Sequence, residues 1–155
     1  MHRHAETRFL PFTPKQLFDL VADVGRYPEF LPWCIAARVT ARGYGTLSAD
    51  LVVGKGPFRE SFTSKVTLDE GGGSPVTPPR IEIDYIEGPM REMTNRWVFF
   101  EAPGGTELDF LVELEFKSRI LEGLMGAFFD DAVKHMVDAF AARAAELYGL
   151  NGPTT

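Results

Sequence analysis

The sequence is short of cysteine, basic charge and long apolar runs, and each shortage narrows the class of protein. With one cysteine in 155 residues, no internal disulfide can form. The 16 lysines and arginines are outnumbered by 22 acidic residues, which gives a net charge of −6 that does not favour a polyanionic partner. No apolar run is long enough to span a bilayer, and none follows a basic N terminus as in a signal peptide.

These shortages predict the compartment and disfavour one kind of partner. We expect no nucleic-acid partner. The sequence predicts a cytoplasmic protein, or one peripheral at the inner membrane of a bacterium, or of a mitochondrion if the chain is a trimmed eukaryotic one.

The chain is rich in apolar rings and long enough for one core. Its hydrophobic fraction is 45%, and phenylalanine alone contributes 13 residues. A chain of this length buries roughly 70% of its unfolded surface when it folds as one domain. The sequence predicts a single domain over residues 1–150 and a flexible tail over residues 151–155.

A strand and two short helices are predicted at the start. The strand covers Arg3 to Leu10. Thr13 followed by Pro14 and Gln16 is a capping-box pattern that begins the first helix. Gly25 is expected to end that helix in a left-handed conformation.

The octapeptide YPEFLPWC, Tyr27 to Cys34, concentrates aromatic rings where two prolines prevent one regular element. Tyr27, Phe30 and Trp33 are therefore presented from a compact turn. Such a turn can seal the bottom of a core or plug the mouth of a cavity, and the sequence leaves both interpretations open. Cys34 has no evident histidine partner, so we expect a small buried thiol rather than a nucleophile.

The middle of the chain alternates apolar and polar residues with the period of two typical of antiparallel strands. TELDFLVELEF has the cleanest alternation, and its carboxylates are expected on a solvated outer face. In FRESFTSKVTL, Glu60 and Ser64 interrupt an apolar face. Either a strand bulge turns them outward, or the carboxylate pairs with Arg96 or Arg143.

The chain closes with one predicted helix of about thirty residues, capped by Ser118 and ended by Gly149. An antiparallel sheet with one solvent-exposed face must pack its other, apolar face against another element, and this helix is the largest element available. The sequence therefore predicts an α+β fold. A curved antiparallel sheet of six to seven strands wraps around the long C-terminal helix and leaves a cavity between them.

Five segments carry a family resemblance: LFDLVADVGRYPEFLPWC, ESFTSKVTL, NRWVFF, LEFKSRIL and AFAARAAELYG. In this order they resemble the ubiquinone (coenzyme Q)-binding family of START-like domains, within the polyketide cyclase/dehydrase and lipid transport superfamily. YPEFLPWC is shared with a close sister group, the ribosome-association toxins. The resemblance implies a helix-grip fold whose cavity holds a hydrophobic ligand, ubiquinone above all, for respiratory electron transfer. It implies no cofactor other than that bound ligand.

The predicted ligand-binding residues come from the octapeptide, the inner sheet face and the last helix. A quinone offers carbonyl acceptors, so Arg96, Arg143 or the indole N–H of Trp33 or Trp97 is expected to meet its head group. The full predicted set is Tyr27, Phe30, Trp33, Phe62, Arg96, Trp97, Phe99, Phe110, Val112, Phe128 and Met136.

Two other functions stay open, a ribosome-association toxin and a polyketide aromatase/cyclase-type enzyme. Catalysis needs positioned acid and base groups, and none can be paired from the sequence, so we predict no catalytic or metal-binding residue and no enzyme activity. Ribosome contact is less natural for a chain of net charge −6.

A transient membrane contact is a further expectation. A domain with a radius of gyration of ~15 Å cannot enclose an extended isoprenoid tail. The segment ILEGLMGAFF has more apolar circumference than one sheet contact needs, and Lys117 and Arg119 lie just before it. We therefore expect this segment to dock on an anionic membrane surface or to pack on the short helices. The oligomeric state is not predicted.

Overall fold

A computed structural model describes residues 1–149 and shows a seven-stranded antiparallel sheet packed against helices. The strands are β1 (His2–Leu10), β2 (Cys34–Gly43), β3 (Thr46–Lys55), β4 (Phe58–Asp69), β5 (Arg80–Glu87), β6 (Met90–Ala102) and β7 (Gly105–Phe116). The helices are α1 (Pro14–Ala22), a 3-10 helix (Val24–Glu29), α2 (Arg119–Lys134) and α3 (Met136–Tyr148). Residue 150 and the predicted tail over residues 151–155 lie outside the described residues.

The strand order is β1-β7-β6-β5-β4-β3-β2, so β2 to β7 form a meander and β1 joins its far edge. Each neighbouring pair is antiparallel. The alternation on β3 buries Leu47, Ala49, Leu51 and Val53 on one face, as predicted. The predicted fold class is confirmed, because this curved sheet packs its apolar face against C-terminal helices.

Helix α1 begins where the sequence places it and ends earlier. The Thr13 hydroxyl accepts from the Gln16 N–H, and the Gln16 side chain accepts from the Thr13 N–H, so the capping box is present. The prediction that Gly25 ends this helix in a left-handed conformation is wrong. Helix α1 ends at Ala22, and Gly25 lies inside the 3-10 helix without a positive φ. The Tyr27 hydroxyl donates to the Val21 carbonyl, which satisfies a carbonyl in the last turn of α1 without a glycine cap.

The C-terminal helix has the predicted ends but is not continuous. The Ser118 hydroxyl accepts from the Leu121 N–H, and Gly149 has a φ of 96°. His135 interrupts it with φ −105° and ψ 4°, and its backbone N–H is shared between the carbonyls of Asp131 and Ala132 at 3.3 and 3.2 Å. The His135 ring also lies 2.8 Å from the Asp131 carbonyl, which weakens the regular helical bond there.

The two helical halves have different neighbours. Helix α2 packs on β1 and β7, whereas α3 packs on α1. The apolar stripe that faces the core passes through Val137, Phe140 and Ala144 on α3, whereas Leu147 is 51% exposed. Among the described residues, no helix is both long and apolar enough to cross a membrane.

Candidate ligand-binding cavity

A cavity of about 100 Å³ lies between the concave face of the sheet, the α2–α3 junction and the octapeptide. Six of the predicted ligand-binding residues line it: Tyr27, Trp33, Phe62, Trp97, Val112 and Met136. Fifteen further residues complete the wall: Val24, Leu31, Cys34, Leu51, Val53, Ser64, Val66, Ile83, Met93, Asn95, Leu114, Phe129, Ala132, Val133 and Phe140. The cavity lies where the sequence predicts it, and contact of these residues with a ligand stays a prediction.

Four predicted aromatic residues lie beside the cavity instead of in its wall. Phe99 is fully buried and packs edge to face on Phe18 of α1, with ring centroids 6.0 Å apart. Phe110 packs behind Trp97 at 4.7 Å, and Phe128 packs on Phe129 at 5.4 Å. The fourth, Phe30, is described below. Phe30, Phe110 and Phe128 each pack on a ring that lines the cavity, whereas Phe99 packs against α1.

Arg96 is the one predicted site residue that lies on the opposite face of the sheet. It is exposed beside Arg3, Thr7 and Asp109 on the outer surface. Successive side chains of a strand point to opposite faces, and Trp97 points inward, so Arg96 must point outward. The predicted contact between Arg96 and a ligand head group is therefore wrong for this cavity.

The octapeptide both lines the cavity and seals it. Phe140 of α3 receives three rings edge to face: Tyr27 at 5.3 Å, Phe30 at 5.0 Å and Trp97 at 4.8 Å. Tyr27 lines the cavity, whereas Phe30 closes the contact between the octapeptide and α3. One ring of the octapeptide thus belongs to the cavity wall and another packs beside it, and plugging of the cavity mouth by this turn stays a prediction.

Arg143 holds the octapeptide from its outer side. Its guanidinium carbon lies 5.3 Å from the Phe30 ring centroid, and Nη2 lies 2.6 Å from Oε1 of Glu29. Among the described residues, its Nε is buried without a hydrogen-bond partner. The predicted partner of this arginine, Glu60, is thus replaced by Glu29, and Arg143 is not part of the cavity wall.

Two polar side chains of the sheet face the cavity, Ser64 on β4 and Asn95 on β6. The indole Nε1 of Trp97 donates to Oδ1 of Asn95 at 3.0 Å, and Nδ2 of Asn95 donates to the Leu111 carbonyl at 2.9 Å. The predicted use of the Trp97 N–H for a head group is therefore wrong, because Asn95 already accepts that hydrogen.

The cavity wall has no ionised group at neutral pH. It contains no carboxylate, imidazole, amine or guanidinium. Burial raises the pKa of the Tyr27 phenol, with smaller contributions from Cys34 and Asp23, and burial raises the pKa of Cys34 to about 11. Both groups therefore stay protonated, and the arrangement suits an uncharged, largely apolar molecule.

We infer that the mouth lies at the end of the sheet that holds the β5–β6 turn, because Phe62 and Met93 line the cavity close to that turn and are half-buried. Trp33, Ile83 and Met136 are also half-buried in the wall, whereas Trp97 at the inner end is 1% exposed. The turn packs tightly on this rim, since a Cβ at Gly88 would lie 2.6 Å from the Cβ of Phe62. At about 100 Å³ the space is smaller than the ~300 Å³ or more of typical ligand sites, so it must widen to admit a ring.

A curved antiparallel sheet that grips a C-terminal helix over an apolar cavity defines a START-like helix-grip protein. The chain belongs to the polyketide cyclase/dehydrase and lipid transport family, whose model matches residues 10–141.

Two named relatives carry different descriptions. The ribosome association toxin RatA of Rickettsia prowazekii is 36% identical over 143 residues, which cover 91% of this chain and 94% of that protein. The mitochondrial coenzyme Q-binding protein COQ10 homolog B of Xenopus laevis is 32% identical over 151 residues, covering 94% of this chain and 59% of that protein. The predicted resemblance to both groups is confirmed.

Solved structures share the fold. An 18 kDa protein from Caulobacter crescentus is 36% identical with a TM-score of 0.72, covering 95% of this chain and 98% of that one. The Zhui aromatase/cyclase from a Streptomyces species has a TM-score of 0.79 at 15% identity, covering 98% and 99%. At that identity the second likeness concerns the fold alone.

Proposed function

We propose that the protein binds a hydrophobic ligand, ubiquinone or a related isoprenoid quinone, and holds it without chemical conversion in support of respiratory electron transfer. The observation that carries this proposal is the uncharged cavity between sheet and helix, with aromatic side chains such as Phe62 and Trp97 in its wall. Similarity to a coenzyme Q-binding protein and membership of a lipid transport family support the ligand class.

Binding requires the cavity to widen at its mouth, and the rim is suited to that. Met93 and Met136 are half-buried and unbranched, so they can change rotamer at low cost. The helix interruption at His135 directly precedes Met136. Each Å² of apolar ligand surface removed from water contributes about 25 cal/mol, which favours entry of a ring and the first part of its tail.

The absence of conversion is supported by the chemistry of the wall. An aromatase or cyclase needs an acid or base positioned at the reacting atoms, with a pKa near the working pH. Here the two titratable wall groups, Tyr27 and Cys34, both have a raised pKa and stay protonated. The wall therefore favours binding over catalysis.

The ligand source that fits best is an anionic membrane surface. On α2, Ile120 is 75% exposed and Leu124 is 55% exposed, one helical turn apart on the same face. Lys117 and Arg119 are exposed beside them and can meet anionic head groups. Transient docking through this segment would let a long tail stay in the bilayer while the head group enters the cavity.

Lipid analysis of the purified protein tests the ligand. The protein is purified from quinone-producing cells, and co-extracted lipids are identified by mass spectrometry. Val66→Phe fills the cavity from a buried wall position, and Val52→Phe is the matched control on the outward face of β3. We expect quinone with the wild type and the control, and none with folded Val66→Phe. Equal recovery from both variants, or no quinone with the wild type, would contradict the proposal.

Ribosome association is the second candidate, favoured by 36% identity to the Rickettsia prowazekii toxin and 37% identity to its Pseudomonas aeruginosa counterpart. A net charge of −6 opposes a direct contact with ribosomal RNA. Sedimentation of ribosomes with added protein through a sucrose gradient separates the two candidates. If the protein stays at the top of the gradient at low salt, ribosome association is eliminated.

A further inference from the structure

The sheet wall of the cavity is apolar except at one serine and one asparagine. Ser64 is 1% exposed and Asn95 is 7% exposed, and both line the space. Burying a hydroxyl or an amide costs free energy unless hydrogen bonds replace those lost to water. These two groups are therefore the positions of the sheet wall at which a polar atom inside the cavity can be bound.

Asn95 keeps hydrogen-bonding capacity after its protein contacts are made. A carboxamide has two N–H donors and a carbonyl with two lone pairs. One N–H goes to the Leu111 carbonyl, and one lone pair accepts from Trp97. One donor and one lone pair remain. The Ser64 hydroxyl adds a second donor, because a hydroxyl rotates to suit its acceptor.

The sheet register fixes how far apart the two side chains lie. Asn95 pairs with Ile83, which pairs with Val66, whereas Ser64 lies two residues nearer the mouth on β4. One strand, β5, separates them. Two strand spacings across and two residues along place their Cα atoms about 12 Å apart on the same face. A ring that accepts a hydrogen bond of ~2.8 Å at each of two opposed oxygens fits a gap of this size.

We propose that Ser64 and Asn95 form a polar subsite that binds the two opposed oxygens of a neutral, quinone-type ring, an assignment that rests on the proposed function. The ring lies across Ile83, with one oxygen at Asn95 and the other at Ser64. Half-buried Phe62 and Met93 stand between this subsite and the solvent. The ring substituent on that side, the tail, therefore leaves through the mouth.

This subsite explains which apolar molecules the cavity rejects. A fatty acid would bring a carboxylate into a wall without any cationic group, and an unpaired buried charge is costly. A plain hydrocarbon would leave Ser64 and the free N–H of Asn95 without partners, which also opposes binding. A neutral ring with two oxygens avoids both penalties.

The test compares two ligands with the same alkyl tail, a short-chain ubiquinone analogue and an alkylbenzene, by isothermal titration calorimetry. The variants are Ser64→Ala and Asn95→Leu, and Ser61→Ala is the matched control on the outward face of β4. We expect the wild type and Ser61→Ala to prefer the quinone. Ser64→Ala should weaken the quinone about tenfold, the value of one hydrogen bond, and leave the alkylbenzene unchanged.

The outcomes separate the subsite from the function. Equal affinity of wild type and Ser64→Ala for the quinone overturns the subsite and leaves the proposed function standing. Failure of the wild type to bind either ligand overturns both. Asn95→Leu also removes the partner of Trp97, so the decision rests on Ser64→Ala, which deletes one buried oxygen and keeps the fold.

Discussion

Replacing Phe140 by alanine removes the ring on which the octapeptide is packed. Phe140 is 2% exposed and lines the cavity. Tyr27, Phe30 and Trp97 each meet it edge to face, with centroids 4.8 to 5.3 Å away. The substitution therefore removes the contact of α3 with two rings of the octapeptide and with one ring of the sheet.

The structure places the expected loss near the top of the usual range. A buried phenylalanine replaced by alanine costs about 3–5 kcal/mol of the free energy of unfolding. Each edge-to-face pair contributes about 0.5–1.5 kcal/mol beyond its buried area, and Phe140 makes three. We expect a loss of about 4–5 kcal/mol. At a urea slope of ~2 kcal/mol/M, the midpoint falls by about 2 M.

Urea unfolding followed by tryptophan fluorescence and circular dichroism measures this loss. Phe100→Ala is the control, because that ring is 39% exposed on the outer face of β6 and should cost less than ~1 kcal/mol. A loss below ~2 kcal/mol for Phe140→Ala, or an equal loss for the control, would refute the assignment of Phe140 as the packing centre.

Three further predictions concern the thiol, the exposed apolar segment and the outer ion pair. Burial raises the pKa of Cys34 from 9.0 to about 11, so alkylation of the folded protein should be slow at neutral pH and accelerate as the pH rises through that value. The free energy of unfolding gained by keeping the Cys34 thiol protonated is present below pH 9.0 and is lost as the pH rises through about 11. Fast alkylation of the folded protein at neutral pH would contradict the raised pKa. Leu124→Asp should abolish co-sedimentation with anionic liposomes, whereas Leu147→Asp, at an equally exposed position of α3, should not; identical behaviour of the two variants counts against docking through α2. A double-mutant cycle of Glu29→Gln and Arg143→Met should give a coupling of about 1 kcal/mol, and a value near zero would show that the ion pair adds no stability.

The elements that could be predicted are those whose signals are local. The capping box at Thr13 involves residues three apart, and the alternation on β3 follows from the pleat of a single strand. The side chains that form the cavity wall are harder to predict, because they come from elements that are distant in sequence. On β6, the inward positions of Trp97 and Phe99 imply that Asn95 also points inward. The prediction of Arg96 as a ligand-binding residue rests on its charge and not on its position in the strand.

The rotation of the C-terminal helix could not be predicted from its sequence. Phe128 and Phe129 are adjacent, and apolar residues occupy most of the helix circumference, so periodicity does not decide which ring faces the cavity. The interruption at His135 changes the phase between α2 and α3. Contacts of α2 with β1 and of α3 with α1 fix each half separately, and these contacts are distant in sequence.

The pairing of β1 with β7 has a consequence for synthesis on the ribosome. His2 pairs with Leu114 and Leu10 pairs with Thr106, so the first strand meets its partner only after nearly the whole sheet has been translated. At 5–20 residues per second, β1 waits about 5–20 s without a neighbour. The meander β2 to β6 can assemble during that interval because its hairpins are local, yet α2 and α3, which cover its inner face, emerge last. A nascent chain paused before residue 119 would therefore expose the phenylalanine-rich face that later encloses the cavity, and it would be the form most prone to aggregate or recruit a chaperone.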